Sequence, residues 1–213
     1  MARRPNPILT AFWIYVIPMT STRAFRIGIA LFLLFTAGIV FLFMSGFLAP
    51  GFVSDALIGM RHFLVMAGLP VGAVLLSEIP IRDGITHRTL LYPLLGPMAR
   101  TTHALVRLIV TSVLLAFAGA ALLLLIRIIL KDGFAFYPRE LLSVTLGAFA
   151  YISLFGFVHL YNRRGLIAGL AIFFLMDLPL GKVPFSIRNM SPSYHMGVIA
   201  GQEESLELPI MIG

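Results

Sequence analysis

The side chains that could perform acid–base or metal chemistry are few in this sequence, and they stand apart. The chain has nine Asp and Glu residues, five histidines and no cysteine. No two histidines have the i, i+4 spacing that would let them bind one metal ion from a helix face. A chain without cysteine has no disulfides, thiolate metal sites or cysteine nucleophiles. We therefore predict no catalytic residue, metal site or cofactor in this chain.

Two acidic residues, Glu78 and Asp177, lie at the ends of long apolar runs. An ionisable side chain at membrane depth is a functional candidate, so both are predicted to line a substrate path or to act in gating. Structural alternatives stay open for both residues. Glu78 could form a salt bridge with Arg82 or with the N-terminal arginines, and Asp177 could reach the outer membrane interface.

The composition indicates the kind of protein that must position these groups. Hydrophobic residues make up 59% of the 213 residues and charged residues 12%, about half the usual charged share of a soluble domain. The apolar residues form continuous runs rather than the alternating segments of a transmembrane barrel. The sequence therefore predicts an all-α polytopic membrane protein. The net charge of +7 is attributed to topology and to anionic lipid surfaces, and no nucleic-acid binding is predicted.

The apolar runs predict five membrane spans within one domain, residues 1–213. An aromatic and basic segment, residues 7–22, is predicted to form a helix in the membrane interface. Residues 182–213 contain no apolar run of membrane length and are interpreted as an extracytoplasmic tail or a re-entrant region. The predicted spans are about 27–49, 60–78, 105–130, 141–160 and 165–180.

Lys and Arg residues predict the orientation of these spans. Most of them lie on one side if the N-terminus is cytoplasmic, which is the orientation that the positive-inside rule favours. The segment between the second and third spans then faces the cytoplasm, and residues 182–213 face the opposite side.

That cytoplasmic segment, 82–100, is polar and rich in proline and glycine. Pro80 is predicted to end the helix of the second span, because proline lacks a backbone donor and clashes with the preceding turn. Residues 86–95 can then form a short helix with leucines along one side, the pattern of a helix that docks into a groove of a partner. The alternative is a loop that only connects two spans. The leucines are Leu90, Leu91, Leu94 and Leu95.

This segment resembles the permease subunits of ATP-binding-cassette exporters of the type-2 class. Their corresponding segment reads approximately E-x-x-x-G-T-x-x-x-L-L-x-x-P-x-x-R, directly before a long apolar span. Ile85 occupies a position where Thr is common in these permeases, and the spacing between Glu78 and Gly84 differs from that of the family pattern. The interfacial N-terminal helix and the order of spans extend the resemblance over most of the chain. The matching positions are Glu78, Gly84, Leu90 or Leu91, Leu95, Pro97 and Arg100.

The resemblance implies a coupling helix that a separate ATPase subunit grips, in a chain that is not itself an enzyme. This chain has no G-x-x-x-x-G-K-[ST] phosphate loop, so ATP and Mg²⁺ would bind to the partner. It further implies a second permease subunit, membrane lipids as surroundings, a location in the cytoplasmic (inner) membrane, and six spans where five are visible. The residues expected to contact the ATPase are Arg82, Asp83, Thr86, Arg88, Leu90, Leu91, Leu94, Leu95 and Arg100.

Two other functions stay open at this stage. One is a membrane anchor or assembly subunit that transports nothing and needs no ATPase. The other is a lipid-modifying membrane enzyme, which would need clustered Asp or His residues that this sequence does not offer.

Overall fold

The structure is a computed structural model of the 213-residue chain. It describes residues 37, 41, 50–86, 100–131, 137–162, 164–183 and 186–201. Almost all of these residues are helical, and none of them lies in a strand. The prediction of an all-α fold is confirmed for this part of the chain.

In the described residues from Pro50 onward, five helices follow one another, and two of them contain a π-helical turn. Helix α1 is continuous and consists of Pro50–Phe63, the π turn Leu64–Gly68 and Leu69–Thr86. Helix α2 is Arg100–Leu130, and α3 is Tyr137–Tyr161. Helix α4 consists of Gly165–Ala171, the π turn Ile172–Asp177 and Leu178–Leu180. A 3-10 turn, Ser186–Met190, precedes α5, which is Pro192–Ala200.

Three stretches of these helices are long and apolar enough to cross a membrane: Asp55–Glu78, Leu105–Leu130 and Tyr137–Tyr161. Helical backbone therefore covers the ranges of the second, third and fourth predicted spans. Of the predicted first span, only Ala37 and Phe41 are described, and both are helical. The predicted interfacial helix, 7–22, lies outside the described residues.

The prolines of α1 do not end helices where the sequence predicted. The prediction that Pro80 stops the second span is wrong, because α1 continues through it to Thr86. One proline removes one hydrogen bond, and a helix packed against its neighbours tolerates that loss. Before Pro70 the helix widens instead: the N–H of Leu69 donates to the carbonyl of Leu64, five residues back. Pro50, which directly follows the predicted first span, is the first described residue of α1.

Helices α1 and α2 pack against each other in antiparallel directions. Leu57 packs with Ile126, and Gly72 lies against the side chain of Leu115. The two pairs place the end of α1 at Thr86 level with the start of α2 at Arg100.

Helix α3 runs parallel to α1 and antiparallel to α2. Arg61 of α1 lies beside Glu140 at one end of α3, and Ser77 lies beside His159 at the other end. The apolar core between these two polar pairs is formed by fully buried side chains that include Val65, Val74, Val144, Tyr151, Phe155 and Phe173.

Helices α4 and α5 together form one interrupted crossing of the bundle. Gly165, at the start of α4, packs on His159, and Phe173 lies edge-on against Tyr151. Helix α5 continues beyond that point, since the Ser143 hydroxyl of α3 donates to the Met196 carbonyl at 2.8 Å. The two helices together are as long as α3. The range predicted as a fifth span, 165–180, therefore covers only the first part of this crossing, and residues 192–200 of the predicted tail supply the rest.

Candidate functional site

The break between α4 and α5 lies deep within the membrane-length part of the bundle. Phe149 is the midpoint of α3. Tyr151, which contacts Asp177 at the end of the π turn of α4, is two residues further along α3, about 3 Å along the helix axis. The hydrocarbon core extends about 15 Å to either side of its middle. If α3 crosses a membrane, the break therefore lies near the bilayer midplane.

Three donors surround the carboxylate of Asp177, which is 5% exposed. The Tyr151 hydroxyl donates to Oδ2. The Ser191 hydroxyl donates to Oδ1 at 2.6 Å, and the backbone N–H of Ser193 approaches the same oxygen at 3.4 Å. Ser193 Oγ lies 2.8 Å from Ser191 Oγ. The carboxylate of Asp177 therefore joins α4 to α3 and to the start of α5.

The local sequence explains why α5 begins at this point. Ser191 has extended backbone angles, and its side chain accepts from the Tyr194 N–H at 3.3 Å, which is the geometry of an N-cap. Pro192 follows at the first helical position, where its fixed φ suits the helix. The carboxylate of Asp177 adds a negative charge beside the positive end of the α5 dipole. A half-helix thus begins inside the bundle with its first N–H groups satisfied.

A second buried polar group ties α1, α2 and α3 together at one end of the bundle. The Arg127 Nε atom donates to Glu140 Oε2 at 2.9 Å, and both side chains are about 97% buried. The Arg61 Nε atom lies 3.5 Å from Glu140 Oε1. We call these three residues the charge cluster. An ion pair this deeply buried holds its partners firmly, because removing one of them leaves a charge without compensation.

A third polar contact joins α1 to α3 at the opposite end. The His159 Nδ1 atom is 2.7 Å from the Phe155 carbonyl and 3.4 Å from Ser77 Oγ. Since a carbonyl oxygen only accepts, Nδ1 carries the hydrogen. The Ser77 hydroxyl donates to the Val74 carbonyl at 3.0 Å. The His159 Nε2 atom is buried and has no partner among the described residues.

The structure places the two predicted path residues at different depths. Glu78 is half-buried and directly follows Ser77, so it lies at the His159 level. Asp177 lies at the Tyr151 level, eight residues or about 12 Å away along α3. The structure does not bring the two residues together. Asp177 is buried among α3, α4 and α5, which disfavours the alternative of a carboxylate that reaches the outer interface.

The predicted ATPase contacts fall mostly outside the described residues. Arg82, Asp83 and Thr86 are helical residues at the end of α1, and Arg100 begins α2. The remaining predicted contacts, and the short helix predicted at 86–95 except Thr86, lie in the range 87–99. They are Arg88, Leu90, Leu91, Leu94 and Leu95.

Sequence reasoning missed the partners of Asp177 and the charge cluster. The Ser191-Pro192 pair is a helix-start signal and could have revealed α5. Arg127 and Glu140 face each other across the short connection between two predicted spans, and opposite charges placed in that way are a signal for an ion pair. Nothing local points to Tyr151, because only the packing of α3 against α4 directs its hydroxyl to Asp177.

Comparison with family models, with curated proteins and with solved structures gives no match for this chain. Among the described residues, no three His, Asp or Glu side chains are grouped so that they could hold a metal ion.

Proposed function

We propose that this chain is the membrane-spanning permease subunit of an ATP-binding-cassette exporter, driven by a separate ATPase subunit. The proposal rests on the resemblance of residues 78–100 to the coupling segment of such permeases. It includes a second permease subunit and a cytoplasmic (inner) membrane location with the N-terminus inside. The substrate stays open.

The observation that carries the proposal is the length of α1 and α2 beyond their membrane-length parts. Helix α1 continues from Glu78 to Thr86, about 12 Å past the apolar stretch, and α2 begins at Arg100, about 8 Å before Leu105. The two helices pack in antiparallel directions and end at the same level. Residues 87–99 therefore connect two helix ends that project out of the apolar layer, where a soluble subunit can contact them.

The contacts of α1 with the other helices would allow a movement of α1 to be transmitted through the bundle. Ser77 and Arg61 connect α1 to α3 at two levels, and Arg127 connects α2 to the same Glu140. Movement at the projecting ends would therefore displace α1, α2 and α3 as one unit. A displacement of these three helices would change the polar contacts in the bundle interior at the interrupted pair, α4 and α5.

Co-purification with the ATPase tests this proposal. The partner to test is a phosphate-loop ATPase, if one is encoded beside this chain. Replacing Leu91, Leu94 and Leu95 together by Glu removes the apolar face that should dock, so association and stimulated ATP hydrolysis should both be lost. Replacing the same leucines by Met keeps that face apolar with similar volume and should preserve both.

The outcomes separate the candidate functions. If the Glu variant unfolds at the wild-type temperature and still binds and stimulates the ATPase, the coupling proposal is wrong. If no ATPase associates with the unmodified chain, the anchor or assembly function replaces transport.

A further inference from the structure

We propose that the break between α4 and α5 is a water-accessible binding site for the anionic head group of an amphiphile, with Lys182 and Arg188 as the binding cations. This inference requires that α1–α3 cross a membrane, but it does not depend on an ATPase.

Both cations are exposed close to the level of the buried Asp177 cluster. Lys182 directly follows α4, and its N–H donates to the Pro179 carbonyl at 3.0 Å. The Arg188 carbonyl accepts from the N–H of Ser191 at 3.0 Å, and Ser191 itself contacts Asp177. Both side chains are exposed. The nearest membrane interface is then about 10 Å from Lys182, farther than either side chain can extend.

Neither cation has an ion-pair partner in the described part of the chain. The Arg188 guanidinium stacks over the Tyr194 ring, 4.8 Å from its centre, which fixes the group and leaves its N–H donors available. Unpaired cations in contact with hydrocarbon are strongly unfavourable. Non-helical backbone at this depth is tolerated only inside protein or beside a water-filled cavity. Lys182 and Arg188 are exposed in the described structure, so the proposal places water or a bound anion, rather than lipid, against them.

The segment that carries Arg188 is hydrogen-bonded to α5 and also has exposed apolar side chains. The exposed imidazole of His195 clips the segment to α5, because its Nε2 atom is 2.8 Å from the Asn189 carbonyl. Ile187 and Met190 are 51% and 80% exposed on either side of Arg188 and Asn189. Cations bordered by exposed apolar side chains suit a ligand that has both an anionic head and a hydrocarbon part.

A second copy of this chain is a less suitable cover for this surface. In the described residues, Asp177 and Glu140 are buried and Glu78 is half-buried. The exposed Asp55 lies at the far end of α1. A symmetric contact at the break would therefore oppose cations to cations, with no exposed carboxylate among the described side chains at that depth to neutralise them.

Because the chain has no cysteine, single thiols can test the site. Asn189→Cys keeps both cations and places the thiol between them and the apolar side chains. The protein is reconstituted in phosphatidylcholine vesicles and treated with sulfonatoethyl (anionic) or trimethylammonioethyl (cationic) methanethiosulfonate. We expect both reagents to react, with the anionic one favoured relative to a free thiol. Adding Lys182→Gln and Arg188→Gln should lower that preference about ten-fold, as expected for two nearby unit charges in water.

Leu146→Cys is the matched control, since Leu146 lies at a similar depth on α3 and is 49% exposed. It should not react with either charged reagent. Dodecyl phosphate should then slow the labelling of Asn189→Cys, whereas dodecyl maltoside should not. Inorganic phosphate should protect far less than dodecyl phosphate.

Four results would overturn the proposal. Failure of both charged reagents at position 189 would mean that the break is sealed from water. Disulfide-linked dimers of the Asn189→Cys chain would assign the surface to a second copy. Equal protection by inorganic phosphate would replace the amphiphile by a free anion. Reaction of the Leu146→Cys control would invalidate the assignment of depth. A site that is labelled and protected in a chain that binds no ATPase would leave this inference standing while the exporter proposal fails.

Discussion

The charge cluster of Arg61, Arg127 and Glu140 allows a quantitative test of how α1, α2 and α3 are held together. Glu140→Gln keeps the shape of the side chain and removes its charge. Both arginines then lose the carboxylate that they share, with the Arg127 side chain 2% exposed and the Arg61 side chain 18% exposed. We expect this variant to be strongly destabilised.

The expected destabilisation by Glu140→Gln follows from the burial of the Arg127–Glu140 pair. Breaking a buried ion pair by removing one partner costs about 3–5 kcal/mol, because the remaining buried charge loses the group that offset its desolvation. For a chain of this size each kcal/mol corresponds to about 2–4 °C in unfolding temperature. Glu140→Gln should therefore lower the unfolding temperature by about 6–20 °C.

Thermal unfolding in detergent, followed by circular dichroism, measures this change. The matched control is Arg139→Gln, which alters an exposed neighbour on the same helix and should change stability by less than about 0.5 kcal/mol. A second variant, Glu140→Met with Arg127→Met, replaces the pair by apolar side chains. It should recover part of the loss, because apolar replacement of a whole buried pair is often neutral or better.

If the unfolding temperature of Glu140→Gln lies within about 1 °C of that of the Arg139→Gln control, the charge cluster does not hold α1, α2 and α3 together. Strict additivity of the two substitutions in the Met–Met variant would also count against that role, since residues in direct contact are expected to show coupling of about 0.5–3 kcal/mol.

Two further predictions concern α3 and its contacts with the interrupted helices. Gly147→Ala should destabilise the fold by about 1–3 kcal/mol, because the new methyl group would overlap the Met196 side chain. In the Met196→Ala background the cost of Gly147→Ala should shrink, and an undiminished cost there would contradict this. Tyr151→Phe should cost about 1.5–3 kcal/mol, the range for a hydrogen bond to a charged group, while Tyr161→Phe at the exposed end of α3 should be neutral. In the Asp177→Asn background the effect of Tyr151→Phe should shrink, and an undiminished effect in unfolding experiments would show that the hydroxyl does not act through Asp177.

The fold class could be predicted from the sequence because it depends on local properties. A run of apolar residues as long as 105–130 can satisfy its backbone groups in a membrane only as a helix, and α2 covers that range. The rule that proline ends a helix was a less reliable guide to the helix boundaries. Pro80 lies inside α1, since its local cost is outweighed by packing that the sequence does not display. The short helix 192–200 was missed because its length is far below that of a span.

Only the tertiary structure decided which polar groups meet. Asp177 was recognised as a candidate from its chemistry and its place after an apolar run. Its donors come from residues 14, 16 and 26 positions away, and the two arginines that contact Glu140 lie on two other helices. The length of an apolar run predicts that a helix forms, but it does not predict the rotation and the depth at which that helix packs. Within the membrane-length bundle, those two quantities determine whether a carboxylate faces lipid, a cation or the start of another helix.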